Sequence, residues 1–160
     1  MQISYREEKH TQDNELLITH GVVGGSLLID ITVPSKATMK LLSIGTYSNI
    51  TEPVENLDNM NWLLFQDGTP LPTLAFPQGR INGSIGGGYG RLRNSVEDIV
   101  IQGGHTFQIY AQNLNLVDHI MGVSIEYVFV WEEFEEEPKA VVIGGGSWLR
   151  KIESFLKGAL

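Results

Sequence analysis

Along most of the chain, hydrophobic and polar positions alternate with a period of two. The clearest case lies between residues 103 and 134. Thr106-Phe107-Gln108-Ile109-Tyr110-Ala111 alternates apolar with polar, and Val123, Ile125, Tyr127, Phe129 and Trp131 share one parity. Such a period puts alternate side chains on one face of a pleated strand. The connector at 112–118 carries Asn113, Asn115 and Asp118, residues suited to turns. The pattern predicts that 106–111 and 121–131 form an antiparallel pair whose inner faces are the middle of a β core.

The rest of the chain is read the same way. Residues 1–14 are polar and charged, and form either an edge strand beginning at Ile3 and Tyr5 or an arm that orders against a neighbour. Leu16-Leu17-Ile18 is a short strand. Residues 26–33 are another, with Leu27, Ile29, Ile31 and Val33 on one face and Gly24-Gly25 ahead of it. Pro34 ends it, because proline donates no ladder hydrogen bond. Residues 38–47 follow, with Met39 and Leu41 on one face and Leu42 and Ile44 opposite. The stretch 48–61 is loop-like, and Trp62-Leu63-Leu64-Phe65-Gln66 is a dense apolar strand. Asp67-Gly68 signals a tight turn. Pro70, Pro72 and Pro77 keep 69–78 out of a central strand. Residues 80–93 are a glycine-rich excursion read as a flexible surface loop, and 96–102 returns to strand. These elements describe an all-β fold, a single jelly roll or β-sandwich of about eight antiparallel strands.

The C-terminal stretch departs from this pattern. An acidic run at 132–137 leads to Pro138, and Gly144-Gly145-Gly146 makes a hinge. Ser147 can cap a short amphipathic helix. Its apolar stripe would be Trp148, Leu149, Ile152, Phe155, Leu156 and Leu160, with Arg150, Lys151, Glu153 and Lys157 on the other face. A helix this short is marginal alone in water, so the stripe needs a surface to lie on. Those six residues are the expected assembly interface. The organisation expected is an N-terminal arm at 1–14, a β-sandwich domain at 15–137, and a hinge with a C-terminal helix at 138–160.

Composition narrows the functional classes. At 160 residues the chain suits one domain. It has no cysteine, which excludes disulfides and thiolate metal sites. The net charge of -8 argues against direct nucleic-acid binding, which needs clustered Lys and Arg. The charged start of the chain does not read as a signal peptide, and no apolar run reaches the length of a membrane span. A soluble protein is expected.

Candidate chemistry is sparse. Gly86-Gly87-Gly88-Tyr89-Gly90 with Arg80, Arg91 and Arg93 lacks the helix a phosphate cradle requires, so the arginines are better read as partners for a neighbouring subunit's carboxylates. His10, His20, His105 and His119 show no close ligand spacing, although His105 and His119 flank the central pair and are the two placed to share a metal. Asp30, Glu97, Asp98 and Glu126 could do acid–base work only if two of them met, and no nucleophile elbow is present. The run Glu132-Glu133-Phe134-Glu135-Glu136-Glu137 lacks calcium-loop spacing and reads as a solvated edge. Trp62, Trp131 and Trp148 could stack on sugars. Trp62 and Trp131 suit a core better, and Trp148 suits the anchor of the terminal helix. No cofactor, catalytic residue or metal ligand is expected.

Three stretches carry a family resemblance. Val33-Pro34-Ser35-Lys36-Ala37-Thr38-Met39-Lys40-Leu41-Leu42-Ser43-Ile44-Gly45 looks like an opening strand–turn–strand. Trp62 to Pro72, with its Asp67-Gly68-Thr69-Pro70, resembles a hairpin of the same kind of protein. Residues 103–113 followed by Gly122-Val123-Ser124-Ile125-Glu126-Tyr127 resemble the closing strands of a jelly roll. The family is the small single jelly-roll capsid proteins of icosahedral viruses, including those with an internal membrane. The resemblance implies a non-enzymatic capsid or capsid-associated subunit in the virion. Its partners would be further copies, other capsid proteins or, through the C-terminal helix, an internal membrane. The competing expectation is a carbohydrate- or receptor-binding β-sandwich module.

Overall fold

The alternating pattern becomes ten β-strands in the computed structural model, which describes residues 2–49, 59–71, 80–82, 90–92 and 99–135. They are β1 (Gln2–Ile18), β2 (Ser26–Thr32), β3 (Ala37–Ser48), β4 (Met60–Gln66), β5 (Thr69–Pro70), β6 (Arg80–Asn82), β7 (Gly90–Leu92), β8 (Val100–Gln102), β9 (Thr106–Asn113) and β10 (His119–Glu135). Two sheets form. The first runs β1-β10-β3-β7, with β8 also on β3; the second runs β2-β9-β4-β5, with β6 also on β4. The fold is an all-β sandwich. Residues 5–132 belong to one compact unit. The strand ends Gln2–Ser4 and Glu133–Glu135 belong to a second, in which Ser4 Oγ donates to Glu133 O at 3.4 Å.

The pairing is nested. β1 pairs with β10, β2 with β9, β3 with β8, and β4 with β6. The first four strands and their partners thus run back along the chain as a doubled ribbon, and successive pairs alternate between sheets. One expectation fails here. β9 and β10 are not paired with each other: β9 lies between β2 and β4, and β10 between β1 and β3. Phe107, Ile109 and Ala111 of β9 and Val123 and Ile125 of β10 are nonetheless fully buried. Two strands lining one core from opposite layers show the same parity as two strands side by side, so alternation alone cannot separate the cases. The excursion at 80–93 is corrected too: its ends are β6 and β7, which join different sheets, and residues 83–89 lie outside the described residues.

Two register shifts adjust which residues face inward. Between β3 and β10, Glu126 pairs with Ser43 but Tyr127 with Leu41, so Leu42 is the extra residue. The bulge carries Ile44 onto the face of Met39 and Leu41, and all three are fully buried. Between β2 and β9, Leu27 pairs with Tyr110 and Ile29 with Ile109, which turns Leu28 inward and Leu27 out. The expected β2 face therefore holds for Ile29, Ile31 and Val33 and fails for Leu27.

Turn chemistry follows the sequence. Asp67 (φ 49°) and Gly68 (φ 78°) both take the left-handed conformation that a tight hairpin needs, and β5 follows as a two-residue edge. Gly103 is packed so closely that a Cβ would overlap the carbonyl oxygens of Pro34 and Ser35. β1 is an edge strand and is mostly exposed, its charged side chains discouraging further strand addition.

Candidate functional site

One end of the sandwich gathers a group of exposed apolar side chains. The segment after β1 (19–25) and the connector between β9 and β10 (114–118) lie side by side, joined by a parallel bridge between His20 and Asn113. Leu17, Val22, Val23, Leu114, Leu116 and Val117 all point to solvent, with Leu116 83% and Val23 74% exposed. On loops this short, exposed apolar residues come at no benefit to the isolated fold, and clusters of them mark interaction surfaces.

A buried polar network holds the two loops. Asn113 is fully buried, and its Nδ2 donates to Ile18 O (3.2 Å) and Val117 O (2.9 Å) while its Oδ1 accepts from Asn115 N (3.1 Å). Gly21 N donates to Asn113 O at 2.8 Å, and Gln112 Nε2 donates to Val23 O. Leu114 N donates to Asn59 O at 2.8 Å, and Gly25 N to Val22 O at 3.3 Å. Gln112 Oε1 also accepts from Asn61 Nδ2 at 3.2 Å. The carbonyls of Val22, Val23 and Val117 are thus satisfied from within, and covering these loops would strand none of them.

Asp118 closes the same end. Its Oδ1 accepts from His20 N at 3.0 Å and from His20 Nδ1 at 2.6 Å. The backbone N–H of His20, then its ring, hold the Asp118 carboxyl below the usual carboxylate range. Beside it, Asn49 Oδ1 accepts from Ile120 N (2.9 Å) and lies 3.2 Å from His119 Nδ1. The opposite end repeats the device. Asp67 accepts from Thr106 N at 2.8 Å and from His105 Nδ1 at 2.5 Å, and its pKa is lowered first by the Thr106 amide and next by the His105 ring.

A second feature runs along β1 and β10. His10 stacks on Tyr127 (centroids 5.2 Å apart, 17° between planes) and tilts against Phe129 at 5.1 Å. The Arg6 guanidinium sits 3.9 Å over the Trp131 ring. Glu8 joins them, with Oε1 2.8 Å from His10 Nε2 and Oε2 3.7 Å from Arg6. Because rising positions on β1 meet falling positions on β10, the two strands are antiparallel. Burial, helped by the Glu8 charge, raises the Tyr127 pKa.

The residues singled out from the sequence scatter. Trp62 is fully buried in β4, and its Nε1 has no hydrogen-bond partner among the described residues; Trp131 is half-buried with one ring face under Arg6. His105 and His119 do not share a site. They sit at opposite ends of the sandwich, separated by the eight residues of β9, about 27 Å at ~3.4 Å per residue. Among the described residues no group of three or more His, Asp or Glu is gathered to hold a metal. Asp30 is exposed on β2, and Glu126 accepts from Ser43 Oγ at 3.0 Å. Glu97, Asp98, Gly86–Gly88, Tyr89, Arg93, Pro138 and the six residues Trp148, Leu149, Ile152, Phe155, Leu156 and Leu160 lie outside the described residues. Sequence reasoning missed the loop surface. The signal was there in Val22-Val23 and Leu116-Val117, apolar pairs inside turn-rich segments where no strand parity calls for them.

Comparison with known proteins adds little. No known protein family matches the chain, and no curated protein matches it. Among solved structures, the chain is similar to a Podospora anserina GH26-CBM35 β-(1,4)-mannanase, with 10% sequence identity and a TM-score of 0.40. The overlap covers 96% of this chain and 35% of the mannanase. Among the described residues no helix is long and apolar enough to cross a membrane.

Proposed function

We propose that the chain is a non-enzymatic structural subunit that works by assembly, a jelly-roll capsid or capsid-associated protein of a virus. The jelly-roll reading is supported by the nested pairing, in which β1, β2, β3 and β4 find β10, β9, β8 and β6 in alternating sheets. The viral reading rests on the resemblance of 33–45, 62–72, 103–113 and 122–127 to the strands of such capsid proteins. Fold alone does not assign a function. The observation that carries the assembly reading is the apolar loop end, where the carbonyls of Val22, Val23 and Val117 are already bonded and the side chains of Leu17, Val22, Val23, Leu114, Leu116 and Val117 are exposed.

Trp148, Leu149, Ile152, Phe155, Leu156 and Leu160 supply a second apolar element, and a C-terminal amphipathic helix that docks on protein, or on an internal membrane, is part of this proposal. In a virion many copies of one modest contact lock a shell, because symmetry repeats it. The alternative, a carbohydrate- or receptor-binding module, needs an open aromatic platform. Trp62 is buried and Trp131 is capped by Arg6, so neither offers a free ring face on both sides.

Light scattering of the full chain, with and without residues 147–160, tests the proposal. Concentration-dependent association that weakens on truncation is expected. A chain that stays monomeric at high concentration and binds glycans refutes it.

A further inference from the structure

The loop end is framed by charge of one sign. Segments 11–35 and 106–131 contain no Lys or Arg, while Asp13, Glu15 and Asp118 lie near the apolar tips in sequence and are exposed. Asp118 is already engaged by His20, which lowers the cost of covering it. The chain also carries a segment of opposite character. Residues 139–160 hold four basic side chains and one acidic, against seven basic and eighteen acidic in residues 1–138. Within that segment, Arg150, Lys151 and Lys157 flank the apolar stripe of Trp148, Ile152 and Phe155.

We infer that the end surface of Leu17, Val22, Val23, Leu114, Leu116 and Val117 is the receptor for residues 147–160 of a second copy. This deepens the assembly reading and rests on it. The apolar stripe covers the loop tips, and the basic flank meets the acidic frame. Surface and ligand are different parts of one chain, so the contact is head-to-tail. Repeated, it closes a ring or extends an array rather than stopping at a symmetric pair. Opposite charges at the rim set register and hasten encounter, so association weakens as salt rises. The carbonyls of Val22, Val23 and Val117 are already bonded, so docking strands none of these three acceptors.

Complementation between two full-length variants tests this. One carries Val23→Asp with Leu116→Asp and has a spoiled receptor; the other carries Trp148→Ala with Phe155→Ala and has a spoiled tail. Circular dichroism checks that both fold, which the high exposure of Val23 and Leu116 favours. By sedimentation, wild type self-associates, and each variant alone associates at least about thirtyfold more weakly, the loss expected for central interface anchors. Mixed in equal amounts, the two variants form a discrete two-chain species, because one intact tail meets one intact receptor. A mixture that stays as single chains overturns the inference, as does a receptor variant that associates like wild type. Wild type that remains a single chain throughout refutes the assembly reading itself. Binding of wild type to neutral vesicles, abolished by Val23→Asp with Leu116→Asp and without self-association, assigns the surface to lipid and overturns both.

Discussion

Replacing Asn113 by alanine removes the side chain that fixes the β9–β10 connector. Three main-chain groups lose a partner: Ile18 O, Val117 O and Asn115 N. Ile18 and Asn115 are buried, so water cannot replace the bond, and each orphaned group costs about 1–2 kcal/mol. Val117 is half exposed, and its carbonyl can turn to solvent at little cost. The sum is a loss of about 3 kcal/mol, a large share of the ~5–15 kcal/mol that holds a domain together. Urea unfolding followed by tryptophan fluorescence, at concentrations where the chain is a single species, measures it as a fall in midpoint with the slope unchanged. Asn113→Asp sharpens the test. The aspartate can still accept from Asn115 N but cannot donate to the two carbonyls, and ionised it brings a buried charge beside them. It should be at least as destabilising as alanine at neutral pH and recover part of the loss in acid, where the protonated carboxyl regains one donor. A loss below about 1 kcal/mol for Asn113→Ala would show that the connector is held by something other than this network.

Three further outcomes follow from the geometry. Asp67 and Asp118 both have pKa values below the ordinary carboxylate value. The stability they confer is complete above the unfolded-state pKa of about 3.9 and is lost as pH falls through the lower folded values. Asp67→Asn with Asp118→Asn should flatten the stability–pH curve in that acid window, and coincident wild-type and variant curves there would remove their role. Gly103→Ala should cost about 2–3 kcal/mol because the new methyl collides with backbone at Ser35, whereas Gly104→Ala, in open space at φ 84°, should cost only about 1 kcal/mol of backbone strain; equal thermal shifts for the two would contradict this. Trp62→Phe should cost about 1 kcal/mol in urea, since the volume lost is offset by removing a buried N–H that has no partner among the described residues, and a loss above ~3 kcal/mol would mean that Nε1 has a partner.

The sequence made the layers legible and left the topology hidden. Alternation located β2, β3, β4, β9 and most of β10 to within a residue or two, because inward positions are set by local parity. Parity is blind to bulges, so Leu27, Leu28 and Ile44 faced the wrong way until the register was known. It is also blind to long-range choice. β1 finds β10, and β2 finds β9, across more than seventy intervening residues in each case, through contacts that no window of neighbouring residues can encode. At the site, Asn113 and Asp118 were recognisable as turn formers. Their partners Ile18, His20 and Val117 lie partly on another loop, so the network existed only once the sheets were assembled.

Fold choice and surface are one physical event at this end of the molecule. A connector of five residues between two β-rich strands could close a hairpin, which would pair β9 with β10. It does not, because Asn113 binds Ile18 O at the end of β1 as well as Val117 O within the connector, and Asp118 binds His20 just beyond it. These bonds tie the connector to the β1 side, where β10 joins β1, while β9 stays between β2 and β4. The same bonds engage His20, Asp118 and the Val117 carbonyl within the loops, while Val22, Val23, Leu116 and Val117 face outward as the apolar part of the surface. A substitution that frees the connector should therefore weaken fold and association together, whereas one that changes only the tips should weaken association alone.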